Sequence, residues 1–212
     1  MNEIQNNVLE GELKYKSTII VTYKIEYPVI VSSTYKYGQE SFNKYNKNKA
    51  YQLESYCKGE LFEQAKQVYK YNTEHGYPIM QFQLVLESKI TFNEERVISL
   101  YQDQYTFTGG AHGSTIRSAQ TWDLLLGRKM VLREFYPDDS AYVVKILREI
   151  TAQIQEQIEN GTGVYFDNYC QLVIDTFQLQ NFYILPEKTV IFFQQYAIAP
   201  YSSGIPTFVL NR

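Results

Sequence analysis

The stretch Tyr105-Thr106-Phe107-Thr108-Gly109-Gly110-Ala111-His112-Gly113 joins two alternating runs and sets three glycines around one of the chain's two histidines. Glycines clustered between strands mark backbone that bends sharply, takes positive φ or is approached closely. Upstream, Met80, Phe82, Leu84, Leu86, Ile90 and Phe92 alternate with Gln81, Gln83, Glu87, Lys89 and Thr91, the period of a half-buried strand. Asn93-Glu94-Glu95 reads as a hairpin turn, with Val97, Tyr101, Tyr105 and Phe107 as the inner face of the returning strand. Downstream, Ile116 and Trp122 lie on a third strand, and Gly127-Arg128-Lys129 turns the chain once more. The spacing predicts an antiparallel meander.

Working outward, residues 13–27 read as one long strand, with Leu13, Tyr15, Ser17, Ile19, Val21, Tyr23, Ile25 and Tyr27 on one face. Pro28 interrupts it, and Val29 to Ser33 continue it after a bend. From Ser41 to Tyr71 the period changes. Ala50, Leu53, Cys57, Leu61, Ala65 and Val68 recur at steps of three and four, the stripe of an amphipathic helix that tolerates Gly59 and stops at His75-Gly76 and Pro78. His75 suits that helix end as a dipole partner.

Leu132 to Phe135 reads as a short helical turn. Asp139 or Ser140 caps a second helix whose stripe is Val144, Leu147, Ile150 or Thr151, Ile154 and Ile158. Phe182 to Leu185, Thr189 to Tyr196 and Ile205 to Leu210 are strands, the last at an edge. The expected class is α+β, antiparallel meander sheets with two amphipathic helices, and the order admits a degenerate helix-plus-meander duplication.

A chain of 212 residues with 44% hydrophobic and 20% charged residues can bury a real core. Its 20 tyrosines suit half-exposed sheets and recognition surfaces. A net charge of −3 argues against nucleic acid as the main partner. Cys57 and Cys170 have no metal-ligand spacing and read as free buried thiols, with a disulfide left open. No apolar run approaches the ~20 residues needed to span a bilayer, and Met1 to Gly11 lack the apolar segment of a signal peptide. As written, the chain is expected in the cytoplasm.

The chemistry-bearing residues are few. His112 has Ser114 and Asp103 near it in sequence, a pattern weaker than a catalytic constellation; its simpler role is to fix the shape of its own loop. The glycines lie between strands and lack the Lys-Ser/Thr of a phosphate cradle. No spacing suits a metal site, no cofactor is implied, and Asp138-Asp139 fits helix-start chemistry. Pro200-Tyr201-Ser202-Ser203-Gly204 is either a stiff recognition loop presenting Tyr201 or a tight connection with the ring turned inward.

Tyr105-x-x-x-Gly109-Gly110-Ala111-His112-Gly113 resembles the signature of a bacterial domain-of-unknown-function family found in the anti-sigma-V factor and in PdaC-type peptidoglycan deacetylases. Thr121-Trp122-Asp123-Leu124, Gly127-Arg128-Lys129 and Leu132-x-x-Phe135 are similar to a second family stretch, and Tyr196 to Gly204 to its closing motif. The resemblance covers residues 100–210, and the N-terminal half is similar to the smaller domain that usually precedes it, giving expected parts of 1–98 and 99–212. It implies an extracytoplasmic module of the Gram-positive envelope that binds a lysozyme-like protein or cell-wall glycan. Its binding residues would be Tyr105, Gly109, Gly110, His112, Gly113, Pro200, Tyr201, Ser202 and Gly204. The chain has no deacetylase domain or sigma-binding region, so the expected function is non-catalytic binding. The alternative is a hydrolase or transferase using His112.

Overall fold

The computed structural model describes residues 1–212. Strands β1 (Glu3–Tyr15), β2 (Thr18–Ser32), β3 (Phe82–Asn93), β4 (Val97–Phe107), β5 (Ser114–Asp123) and β6 (Arg128–Lys129) form one sheet in that order. Strands β7 (Phe182–Leu185), β8 (Lys188–Phe192) and β9 (Thr207–Asn211) form a second, antiparallel sheet with β9 at its edge. Helices are α1 (Lys36–Tyr56), α2 (Phe62–His75), α3 (Tyr142–Glu159) and α4 (Tyr169–Thr176). The α+β class holds.

Residues 13–27 are two strands rather than one. Tyr15 pairs with Thr18 across a two-residue turn in which Lys16 takes φ 55°. Such a turn reverses the parity of the inward face. A register shift between Leu13 and Lys14, which passes over Ile20, reverses it again. Leu13 therefore opposes Val21 and Leu9 opposes Ile25, so odd residues share a face on both sides and the sequence imitates one alternation. Pro28 stays in β2, where pairing to β3 has already ended at Ile25.

The meander expectation also needs one correction, because β2 and β3 pair in parallel from Val21–Phe82 to Ile25–Leu86. A parallel pair requires a long crossover, which the helical rod supplies. That rod begins at Lys36, and a π turn over Cys57–Leu61 separates α1 from α2. The π turn follows from the stripe. On an ideal α-helix each step of four overshoots a full turn by about 40°, so Leu53, Cys57, Leu61 and Ala65 would drift by about 120°. Widening one turn brings Leu61 and Ala65 back onto the sheet. Ala50, Cys57, Leu61 and Ala65 are buried against Val21, Tyr23, Ile25, Tyr27, Phe82, Leu84 and Leu86.

The chain divides into two compact units that share β3, β4 and β5. The first holds residues 1–88, 102–115 and 124–127 around the core just described. The second holds residues 89–101, 116–123 and 128–212. Its core joins Ile146, Ile150 and Ile154 of α3 to Phe182, Ile184, Ile191, Phe193, Phe208 and Leu210. Of the expected α3 stripe, Ile150 and Ile154 are buried and Leu147 packs against the same core, whereas Val144 and Ile158 lie exposed and Ile146 takes the inward place instead. Asp139 accepts from the Ala141 N–H at 2.9 Å, just ahead of the helix. In β4, Ile98, Ser99 and Leu100 are all buried, so both faces are covered there, against the single inner face expected. β8 ends at Phe192, earlier than expected, because Gln194 turns aside to clamp Arg117: its amide accepts from the Arg117 N–H at 3.0 Å and donates to its carbonyl at 2.7 Å.

In the first unit, α1 comes so close to the Leu124 backbone that a Cβ on Gly38 would overlap the Leu124 carbonyl. Gly38→Ala should destabilise the fold by about 1–3 kcal/mol, the range for overpacking, read from urea unfolding. An unchanged midpoint would show that this approach is not fixed.

Candidate functional site

The glycine motif is a shaped loop. Gly109 and Gly110 take φ 98° and 92°, conformations that L side chains rarely adopt. Gly113 is different. It is buried, and a Cβ there would lie 2.5 Å from the Tyr105 ring and 2.6 Å from the Thr106 carbonyl. The Tyr-to-Gly spacing of the motif therefore has a steric cause: the ring of β4 lies over the last glycine. His112 is exposed, with Nδ1 3.0 Å from the Gly113 carbonyl. A carbonyl only accepts, so Nδ1 carries the proton in this bond and Nε2 is the basic atom of the neutral ring.

A group not singled out from sequence lies in the same unit. Tyr71 and His75 stand one turn apart at the end of α2, their rings stacked at 4.2 Å. Gly76 closes the helix with φ 71°, and the Tyr77 N–H bonds back to the Asn72 carbonyl at 2.8 Å. This reversal brings Tyr77 alongside, its ring 7° from the plane of His75. Asn72 pins the exit by donating to the Pro78 carbonyl at 2.8 Å. Tyr71 and Tyr77 are each 55% exposed. Three residues on, Met80 reaches the glycine loop, its side chain 3.8 Å from where a Gly109 Cβ would stand. His75 does sit at the helix end, with Nδ1 2.8 Å from the Tyr71 carbonyl. The only trace of this surface in sequence is a Tyr–His pair at i,i+4 before a Gly-Tyr.

The closing motif belongs to the other unit. Pro200 opens a short 3-10 turn over Tyr201–Ser203, and Gly204 ends it at φ 66°, ψ −131°. Tyr201 is half-buried, its ring 5.7 Å from that of Tyr196. Of the two placements left open from sequence, the structure lies between: the 3-10 turn folds the ring back onto Tyr196 without burying it. Tyr196, held at φ 64° and 54% exposed, projects instead. Ser203 donates to the Val164 carbonyl at 2.9 Å, and Ser202 and Ser203 line an open cavity of about 450 Å³ with Gln157, Thr162, Tyr165 and Thr207.

The Thr121-Trp122-Asp123 stretch is structural. Thr121 meets Ser99 at 2.8 Å, whose hydroxyl also accepts from the Ile184 N–H at 3.0 Å. Trp122 donates to Gln120 at 2.6 Å. Asp123, whose side chain is 3% exposed, holds Arg96 through two bonds of 3.0 and 2.6 Å. Arg128 grips Glu134 in the same forked way, which keeps the Glu134 carboxyl below its usual range. No group of three or more His, Cys, Asp or Glu is placed to hold a metal ion, and no helix is long and apolar enough to cross a membrane. Both cysteines are free; Cys57 is buried as expected, but Cys170 is exposed on α4.

The family model "Deacetylase PdaC" matches residues 14–115 and "Protein of unknown function (DUF3298)" matches residues 134–212. The glycine motif falls inside the first match and the closing motif inside the second. No curated protein matches the sequence. A DUF3298 family member from Bacteroides fragilis superposes with a TM-score of 0.70 at 15% identity, over 99% of this chain and 91% of that one. A DUF3298 family protein from Pseudomonas aeruginosa gives 0.57 at 15% identity, over 100% and 91%. These likenesses establish a shared fold. The resemblance to a domain-of-unknown-function family with a PdaC-type region ahead of it is borne out.

Gly113→Ala should cost about 1–3 kcal/mol by overpacking, whereas His112→Ala, on an exposed ring, should stay within about 0.5 kcal/mol. Equal losses in urea unfolding would contradict the packing of Tyr105 over Gly113. Burial pushes the Cys57 thiol up to about 12, so little thiolate forms at pH 8. In the native protein a disulfide-exchange reagent should titrate Cys170 quickly and Cys57 only after unfolding; rapid reaction of both would show that the π turn opens.

Proposed function

We propose that the chain is a non-catalytic binding module of the bacterial cell envelope, working outside the cytoplasmic membrane, and that it takes a cell-wall glycan on Tyr71, His75 and Tyr77. The observation that carries this reading is the cluster of three exposed rings at the end of α2, with His75 and Tyr77 parallel to within 7°, on the chain that leads through Met80 to the glycine loop. The C–H groups on a sugar face carry partial positive charge and pack on the negative face of an aromatic ring. The sugar hydroxyls at the edge need donors and acceptors, and backbone without Cβ atoms at Gly109 and Gly110 admits close approach. The rings are held by a helix end and a pinned exit, so little ordering is required on binding.

A lysozyme-like protein is the second reading. It is favoured by Tyr196, an exposed ring set on Tyr201 within the closing motif that carries the resemblance. The enzyme alternative has less behind it: His112 Nδ1 is committed to the Gly113 carbonyl, which suits a shape-fixing residue.

Calorimetry with N-acetylglucosamine oligomers and with lysozyme separates these readings. Tyr71→Ala combined with Tyr77→Ala should weaken oligomer binding about tenfold or more, which is 1.4 kcal/mol, with unfolding changed by no more than about 0.5 kcal/mol. Oligomer binding indifferent to both rings would sink the glycan reading. Lysozyme binding lost in Tyr196→Ala but kept in the Tyr71/Tyr77 variant would transfer the function to the closing loop. Turnover abolished by His112→Ala would make the protein an enzyme.

A further inference from the structure

The turn joining β1 to β2 carries Tyr15 against Tyr69 of α2, with ring centroids 5.3 Å apart and planes at 82°. Three ammonium groups close on the Tyr15 ring: Lys16 at 5.8 Å, Lys66 at 5.7 Å and Lys70 at 5.8 Å from its centroid. Each lies within one Debye length of the ring, about 8 Å at physiological ionic strength, so their fields add over it. Glu63 offsets part of this charge through Lys66, at 2.8 and 3.0 Å. Three ammonium groups at one ring, one of them paired with Glu63, make a locally basic patch on a chain of net charge −3.

Two features of this cluster work against folding. Lys66 and Lys70 place like charges one helical turn apart, which is unfavourable. Lys16 takes φ 55°, a turn position that suits Gly, Asn or Asp. A lysine accepts the less favourable backbone there, and what it contributes is its ammonium group. Both costs fall at the same ring.

We propose that Tyr15, Lys16, Lys66 and Lys70 form a binding site for a linear phosphate polymer. Lysine ammonium groups are compact point charges with rotatable donors, suited to phosphate oxygens in varied directions. A polymer presents successive phosphates to the three cations gathered at the Tyr15 ring, whereas a monophosphate presents a single charged centre. The phenol of Tyr15 adds a further donor. Counterions released from the polymer drive the association and make it depend on salt. The site is separate from the Tyr71, His75 and Tyr77 surface and does not depend on it.

The test titrates the full chain with short-chain inorganic polyphosphate, with orthophosphate and with phosphatidylglycerol-containing vesicles, between about 50 and 200 mM salt. Lys16→Asn with Lys70→Gln keeps residues suited to each backbone position, and thermal unfolding verifies that the variant is folded. Polyphosphate should bind the native chain, and the double variant should bind about tenfold or more weakly, with a salt slope reduced by about 2. Lys188→Gln, at the start of β8, should leave binding unchanged. Three results would each overturn the site: polyphosphate affinity equal in native and double-variant protein, orthophosphate bound as tightly as the polymer, or binding to vesicles alone.

Discussion

The packing of one helical rod across β2 is the contact on which the first unit depends. β2 buries Val21, Tyr23, Ile25 and Tyr27 beneath Ala50, Cys57, Leu61 and Ala65. That burial fixes where α2 ends, and so where Tyr71, His75 and Tyr77 are delivered. It also returns the chain to β3 in parallel with β2. Small residues at positions 50 and 65 let the rod lie close, and Gly38 lets its first turn reach the Leu124 backbone. The π turn keeps one stripe on the sheet along the whole rod.

From this frame the glycine loop acquires its shape from steric demand, with the bond between His112 and the Gly113 carbonyl inside it. Tyr105 occupies the space that a side chain at position 113 would need, while Gly109 and Gly110 supply left-handed turns that other residues resist. His112 then lies at the surface with its ring tied to its own backbone. In the second unit, the closing motif is ordered by a comparable pair of devices. Pro200 stiffens its entry and Gly204 turns its exit, so that Tyr201 folds onto Tyr196 and Tyr196 projects.

Much of the fold was legible because period-two and helical patterns are imposed by burial on one face. The misreadings have definite causes. Residues 13–27 read as one strand because the passed-over Ile20 cancels the parity change of the Lys16-Ser17 turn. In α3 the expected Leu147, Ile150 and Ile154 do face the core, but the ends of the stripe differ, because Val144, Ile146 and Ile158 offer overlapping apolar sets and only packing selects Ile146. The parallel β2–β3 pair is invisible locally, since strand direction is set by a partner some sixty residues away. The positive φ expected in the glycine motif is present, but the surface of Tyr71, His75 and Tyr77 escaped the sequence reading. It exists only because Gly76 reverses the chain, so that residues on a helix and beyond it come side by side. The placement of Tyr201 stayed open in the sequence for a related reason: proline predicts stiffness, not the side to which the next ring folds.

The central claim is that binding takes place on the ring surface of Tyr71, His75 and Tyr77, with the glycine loop as its neighbour through Met80. Two-dimensional NMR of the native chain titrated with N-acetylglucosamine oligomers tests it most directly. The account predicts shifts concentrated on the rings of Tyr71, His75 and Tyr77 and on the amides of residues 109–112. Shifts confined to residues 196–204, or none at saturating sugar, would contradict it.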